Sequence, residues 1–149
     1  MISIEARSEQ KERSEPFKAA QPMAHAKPLV LVAEDHEDSR SLLKALLEMW
    51  GYRVAEAANG AEAVSLACEL IPDLVLMDVG LPLIDGITAA DQIHEFTNLA
   101  ILPVVFTSGH PETSLRESAL ERDGVAYLIK PIDFEKLRIV LSKYIQNTL

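Results

Sequence analysis

Residues 74–86 read LVLMDVGLPLIDG, and this stretch gives the clearest indication of the fold. Its first four residues are apolar, which is typical of a strand covered on both faces of a parallel sheet. The run then meets a carboxylate at Asp78, and Gly80 and Pro82 break the strand. A carboxylate at the end of a buried strand needs a compensating cation or a chemical use. The other strand ends should therefore supply its partners.

Four more short apolar runs predict strands at 29–33, 52–55, 104–107 and 125–129. Segments with helical periodicity alternate with them, at 38–50, after Asn59, at 86–96, at 111–122 and after Asp133. A repeated strand–helix unit folds as a parallel sheet with right-handed crossovers and helices on both faces. The predicted fold class is therefore α/β, a doubly wound five-stranded parallel sheet.

Local signals predict how the helices begin and which side chains they bury. Asn59 with Glu62 resembles a capping box, and Asp133 can cap the last helix after an apolar residue. For the first helix, Asp38 and Ser39 are the predicted caps. Its inward face is predicted to contain Leu42, Leu43, Leu46, Leu47 and Trp50, and the inward face of the second helix Ala63, Val64, Ala67 and Cys68.

Composition limits the classes of function. The chain has 149 residues and a net charge of −9, which argues against direct nucleic-acid binding because that requires a basic face. No apolar run approaches the ~20 residues of a membrane helix, and the single cysteine favours a reducing, cytoplasmic setting. Residues 1–27 are polar and are predicted to be a flexible extension, so the predicted domain is 28–149.

Chemically active side chains follow four of the five predicted strands. Glu34 and Asp35 follow the first strand, Asp78 the third, Thr107 ends the fourth, and Lys130 follows the fifth. In a parallel sheet these ends share one edge, where ligands bind. Carboxylates in such a cluster suit Mg²⁺, a hard cation. One oxygen of Asp78 could then act as a nucleophile for phosphoryl, with Lys130 neutralising charge and Thr107 donating a hydrogen bond.

Four motifs in this order resemble the receiver domain of two-component response regulators: Glu34-Asp35, MDVGLPLIDG, Thr107-Ser108-Gly109 and Lys130-Pro131. The resemblance covers residues 28–147 and implies a flavodoxin-like sheet of strand order 2-1-3-4-5. It also implies a cis peptide bond before Pro131. Because no output domain follows the last predicted helix, a stand-alone, single-domain receiver is expected, and an excised piece of a longer protein is the alternative.

The resemblance also implies a role for each matching residue. Asp78 is the expected phosphoacceptor, and Thr107 and Lys130 are expected to contact the phosphoryl group. Thr107 and Tyr127 are the expected switch pair. The expected ligands of Mg²⁺ (or Mn²⁺) are Glu34, Asp35, Asp78 and the backbone carbonyl of Gly80.

The expected function is a phosphorylation-dependent signalling switch. A histidine kinase or histidine phosphotransfer protein would donate the phosphoryl group, and a protein target would respond. Such a domain is no enzyme beyond its own phosphorylation and dephosphorylation. A homodimer through the fourth helix, fifth strand and fifth helix is possible.

Two alternatives remain open at this point. The chain could be an interaction module that has lost phosphorylation, or a small enzyme or flavin binder. The second requires a phosphate-binding loop after the first strand, where EDHED is acidic and lacks glycine. His36 in that loop is interpreted as loop surface, directed away from the acid pair, and Asp85 as a turn residue.

Two positions depart from the usual receiver pattern. Gly80 stands where receivers often carry a larger side chain, and Gly109 stands two residues after Thr107. Both positions border the path of the attacking water in this family. The hypothesis is that two missing side chains leave the phosphoryl group unusually open to hydrolysis.

Overall fold

The computed structural model describes residues 26–97, 101–110, 113–122 and 124–145. From Pro28 onward the described residues form one compact unit. Strands and helices alternate along it, with these bounds: β1 (Leu29–Ala33), α1 (Glu37–Met49), β2 (Arg53–Ala57), α2 (Gly60–Leu70), β3 (Leu74–Asp78), α3 (Gly86–Thr97), β4 (Val104–Ser108), α4 (Thr113–Arg122), β5 (Gly124–Ile129) and α5 (Phe134–Tyr144).

The strands form one parallel sheet in the order β2-β1-β3-β4-β5, which confirms the predicted fold. The register places Asp78, the last residue of β3, opposite Thr107 of β4 at the carboxyl edge of the sheet. None of the described helices is both long and apolar enough to cross a bilayer.

Alternation along the strands divides the core into two layers. Leu31, Val75 and Phe106 face one side, where α2, α3 and α4 cover them. Val32, Leu76 and other residues of opposite parity face the second side, which α1 and α5 cover. Because successive strand residues point to opposite faces, the continuous apolar runs fill both layers at once.

Some predicted boundaries and helix caps differ from the structure. The second strand begins at Arg53, one residue later than predicted, and continues to Ala57. Helix α1 begins at Glu37, so Asp38 and Ser39 lie within its first turn, and the prediction that they cap it was wrong. The residue at the cap position is His36, which makes no side-chain capping bond. The predicted start of α4, at 111, lies outside the described residues.

Other local predictions are confirmed. The Asn59 side chain accepts a hydrogen bond from the Glu62 amide at 2.8 Å, and Glu62 accepts one from the Ala58 amide at 2.6 Å. The Asp133 carboxylate caps α5. Asp85 is a turn residue whose carboxylate accepts a 2.9 Å hydrogen bond from the Thr88 amide. The peptide bond before Pro131 is cis.

Four side chains predicted to be core are not fully buried, and Leu46, which is partly buried, is one of them. Cys68 is exposed, because it lies one helical step of ~100° beyond Ala67, outside the buried stripe of α2. Leu42 is 54 % exposed, while its neighbour Leu43 is buried. Trp50 is half-buried, and the guanidinium of Arg138 lies 5.3 Å from its ring centroid.

Two glycines allow the loop after β3 to pack closely against its surroundings. A Cβ at Gly86 would overlap the backbone of Asp78, and a Cβ at Gly60 would overlap the backbone of Ile84. The Gly86 amide donates to the Val79 carbonyl at 2.9 Å. The start of α3 is therefore fixed directly on the backbone next to Asp78.

We predict that Gly86→Ala destabilises the fold by about 2 kcal/mol or more, since its methyl group meets main chain that cannot move aside. Gly109→Ala is the matched control, because a Cβ there has nothing within 4 Å. Urea unfolding of both variants checks this. Equal midpoints for the two would contradict the close approach.

Candidate functional site

The carboxyl ends of four strands bring the predicted site residues to one edge of the sheet. Glu34 and Asp35 follow β1, Asp78 ends β3, Thr107 lies in β4, and Lys130 follows β5. Glu34 is 2 % exposed and Asp78 is 6 % exposed. Two carboxylates are thus almost fully withdrawn from water, and each requires compensation.

The ammonium of Lys130 compensates the charge of both buried carboxylates. Its Nζ lies 2.8 Å from Glu34 Oε1 and 2.9 Å from Asp78 Oδ2. The Lys130 amide donates to the Ser108 carbonyl at 2.8 Å, which extends the β4–β5 pairing and directs the side chain inward. A residue 96 positions from Glu34 in sequence therefore bridges two strand ends.

Burial and pairing act on Lys130 in opposite directions. Burial alone would lower the pKa of its ammonium, but hydrogen bonds and charge from Glu34 and Asp78 outweigh that effect, so the pKa is raised. Lys130 therefore stays protonated throughout the neutral range. It is a fixed positive charge and not a proton donor near pH 7.

The main chain of Glu34 is held from two sides. Its amide donates to the Ala57 carbonyl at 3.0 Å, and its carbonyl accepts from Arg40 Nη1 at 3.0 Å. Arg40 is itself oriented by Glu56, whose Oε1 lies 3.2 Å from Arg40 Nε. Arg40 was not predicted from the sequence, although a lone arginine one turn into the helix after the acid pair is a signal that could have indicated it.

The loop after β1 forms a second cluster beside the buried pair. His36 Nδ1 lies 3.2 Å from Glu34 Oε2 and 3.4 Å from Asp35 Oδ1. Its side chain is 74 % exposed, as expected for loop surface, but it turns toward the acid pair and not away from it. The prediction of its direction was wrong, because the His36 amide also binds Glu34 Oε2, at 3.1 Å, and fixes the turn.

The loop after β3 orients Asp78. The Gly80 amide donates to Asp78 Oδ1 at 3.1 Å, and the Val79 amide donates to the Thr107 carbonyl at 2.9 Å. Both oxygens of Asp78 thus accept a hydrogen bond, Oδ1 from Gly80 and Oδ2 from Lys130. An ionised carboxylate has about four acceptor positions, so each oxygen keeps one to spare.

Space remains beside both unusual glycines. A Cβ at Gly80 would lie 3.8 Å from Asp78 Oδ1, an ordinary van der Waals contact. A Cβ at Gly109 would meet nothing within 4 Å. Neither glycine is required by packing, in contrast to Gly86.

The loop after β4 is tied back by side chains. The hydroxyl of Tyr127, a residue 9 % exposed, lies 3.3 Å from the His110 carbonyl, and the His110 amide donates to Ser108 Oγ at 3.0 Å. The predicted switch residue Tyr127 therefore points inward and contacts this loop.

A groove of about 590 Å³ opens beside Lys130, between α1 and the start of α5. Leu42 and Phe134 form part of its apolar wall, and Glu34 contributes its polar end. The exposure of Leu42 is explained by its position on this groove.

The donor set fits a divalent cation. The ligand atoms of Glu34, Asp35 and His36 lie within 4.8 Å of one another, and no other such group occurs among the described residues. Two of these residues are carboxylates, which suit a hard cation. Asp35 is one-third exposed, which leaves room for waters on that cation.

We predict that Lys130→Met destabilises the protein by about 1–3 kcal/mol, because two buried carboxylates lose their shared cation. Added Mg²⁺ should recover more stability in this variant than in the wild type. Lys136→Met, an exposed lysine on α5, is the control and should change little. Thermal unfolding with and without Mg²⁺ measures both effects. If the two variants are equally stable, the contacts of Lys130 with Glu34 and Asp78 contribute nothing to the stability of the fold.

Residues 30–142 match the model of the response regulator receiver domain family. The transcriptional regulatory protein ZraR of Klebsiella oxytoca is 37 % identical over 119 residues, which are 80 % of this chain and 26 % of ZraR. The transcriptional regulatory protein PdtaR of Mycobacterium tuberculosis is 41 % identical over 109 residues, 72 % of this chain and 52 % of PdtaR.

One solved structure with the same fold contains a bound metal ion. The receiver domain of the sensor histidine kinase PA1611 from Pseudomonas aeruginosa superposes with a TM-score of 0.73 at 30 % identity, covering 80 % of this chain and 98 % of that one. That structure has a magnesium ion coordinated in its active site cleft.

The chain spans about a quarter of the length of ZraR. On the family match, its residues 30–142 are a receiver domain, and the chain belongs to the response regulator receiver family of two-component systems.

Proposed function

We propose that this protein is a phosphorylation-dependent switch in which Asp78 accepts a phosphoryl group from a histidine kinase or a histidine phosphotransfer protein. The observation that carries the proposal is the 2.9 Å contact between Lys130 Nζ and Asp78 Oδ2. It joins a buried carboxylate to a fixed ammonium at the edge of the sheet where ligands of such folds bind.

In the proposed reaction an oxygen of Asp78 attacks the phosphorus of a phosphohistidine. A new O–P bond forms, the P–N bond breaks, and the imidazole nitrogen leaves with the electron pair. Oδ2 already carries the Lys130 bond, and an ammonium has three donors. Lys130 can therefore reach a phosphoryl oxygen and keep its bond to Glu34, which leaves the buried acid compensated throughout the transfer.

The proposed ligands of Mg²⁺ or Mn²⁺ are Glu34, Asp35, Asp78 and the Gly80 carbonyl. When bound, such a cation neutralises charge on the transferring phosphoryl oxygens. The support is the charge balance at this edge of the sheet. Glu34, Asp35 and Asp78 face a single ammonium, that of Lys130, so two negative charges are left, the charge that one divalent cation compensates.

Thr107 and Tyr127 are proposed to transmit the effect of phosphorylation to the surface of the domain. Thr107 lies opposite Asp78 in the sheet register and is 3 % exposed, so its hydroxyl is the proposed donor to the phosphoryl group. Tyr127 contacts the loop that follows Thr107. A shift of Thr107 toward the phosphoryl group would change the Tyr127 contact and thereby the surface of α4, β5 and α5.

That surface is the proposed contact for a downstream protein, and its use in a homodimer stays a prediction. The protein is proposed to act by changing its surface, with no chemistry beyond its own phosphorylation and dephosphorylation. The predicted cytoplasmic setting and the division into 1–27 and 28–149 belong to the same proposal.

Acetyl phosphate tests the phosphoacceptor. With Mg²⁺, intact-mass spectrometry should show a gain of one phosphoryl group in the wild type. Asp78→Asn should not gain it, because the amide lacks a nucleophilic carboxylate oxygen. Asp85→Asn, a turn residue in the same loop, is the control and should label like the wild type. Labelling of Asp78→Asn would overturn the assignment.

The two glycines give a prediction about the lifetime of the phosphoryl group. Gly80→Asn should slow dephosphorylation by about tenfold, about 1.4 kcal/mol in the barrier, because an amide side chain would narrow the approach of water to Asp78. Gly80→Ala, with its short side chain, should stay near the wild-type rate. Loss of label after removal of acetyl phosphate gives the rates. An unchanged rate in Gly80→Asn would rule out the open-path explanation.

A further inference from the structure

His36 stands in an unusual place for a histidine. It occupies the N-cap position of α1, which Ser, Thr, Asp and Asn usually fill, and its side chain makes no capping bond. Its imidazole turns instead toward the acid pair, with Nδ1 3.2 Å from Glu34 Oε2 and 3.4 Å from Asp35 Oδ1. The His36 side chain therefore contacts two carboxylates and does not cap the helix.

The three converging atoms repel one another unless a hydrogen atom or a cation lies between them. Carboxylate oxygens have lone pairs only, and a neutral imidazole nitrogen without a proton has one as well. Either a proton on Nδ1 or a metal cation resolves their repulsion. Two ligand atoms bound at about 2.1 Å to one metal lie roughly 3.0–3.4 Å apart at octahedral or tetrahedral angles. The separations of 3.2 and 3.4 Å match those of atoms that share one cation.

The contacts of Glu34 fix its Oε2 at this cluster. Glu34 is 2 % exposed, and its other oxygen already binds Lys130, so its Oε2 is held in position beside His36. The His36 amide at 3.1 Å from the same oxygen keeps the residue there. The neighbouring Asp35 is partly open to solvent, which provides an entry path.

We propose that His36 supplies a nitrogen ligand to the cation site, so that this receiver domain binds first-row transition dications more tightly than its carboxylates alone would. Imidazole suits Co²⁺, Ni²⁺ and Zn²⁺, whereas Mg²⁺ takes oxygen ligands and keeps its waters. The inference rests on the cation site of the proposed switch and adds a residue that sets its metal preference.

Cobalt is the direct probe, because its visible absorption reports the ligands that it binds. Titration of the full chain with Co²⁺ should give an absorption band and a dissociation constant. In His36→Gln, which keeps the size and polarity of the side chain, Co²⁺ affinity should fall about tenfold or more. Mg²⁺ affinity, measured by calorimetry, should stay within about twofold, since the oxygen ligands remain.

His110→Gln is the matched control, because His110 is another exposed imidazole, in the loop after β4. It should leave Co²⁺ affinity unchanged. Equal Co²⁺ affinity in the wild type and His36→Gln would overturn the proposal. A loss in His110→Gln in place of His36→Gln would also overturn it, as would an equal loss of Mg²⁺ and Co²⁺ in His36→Gln.

Phosphoryl labelling separates this inference from the proposed function. Acetyl phosphate with Mg²⁺ should add one phosphoryl mass to the wild type. If the wild type gains none, the switch is refuted, and the Co²⁺ titration still decides whether His36 is a ligand.

Discussion

The ammonium of Lys130, between the carboxylates of Glu34 and Asp78, is the interaction on which the site depends. Two acids that are almost fully buried are tolerated because this cation bridges them. The bridge also links the ends of β1, β3 and β5, so it ties the chemistry to the order of the strands. Any receiver sheet that lost this register would separate the charges and leave both acids unpaired.

The fold was predictable because the sheet is covered on both faces. Its central strands are apolar runs, as expected for strands covered on both faces, and residues with a chemical task lie at the carboxyl ends of four of the five strands. Asp78 and Lys130 could be assigned to the same edge from topology alone, since parallel strands share their carboxyl ends. The capping box at Asn59 was predictable for a different reason, because its bonds are local.

What the sequence did not reveal depends on side-chain direction. Cys68 is one helical step outside the buried stripe of α2, a difference that periodicity describes only coarsely. Leu42 is exposed because a groove adjoins α1 there. Arg40 and His36 were missed or misread because their contacts depend on how the turn after β1 directs the chain. A turn of that kind is fixed by hydrogen bonds between neighbours, and composition does not encode them.

The two loops that flank Asp78 are held by different kinds of bond. The loop after β3 is fixed by its main chain, through the Gly86 amide on Val79 and the Gly60 amide on Pro82. Among the described residues, the start of the loop after β4 is tied by the hydroxyls of Ser108 and Tyr127. Hydroxyl bonds exchange by rotation of one side chain, whereas main-chain bonds require the backbone to move. The loop after β3 is therefore the more rigid of the two, and rotation of single side chains is enough to change the bonds of the loop after β4.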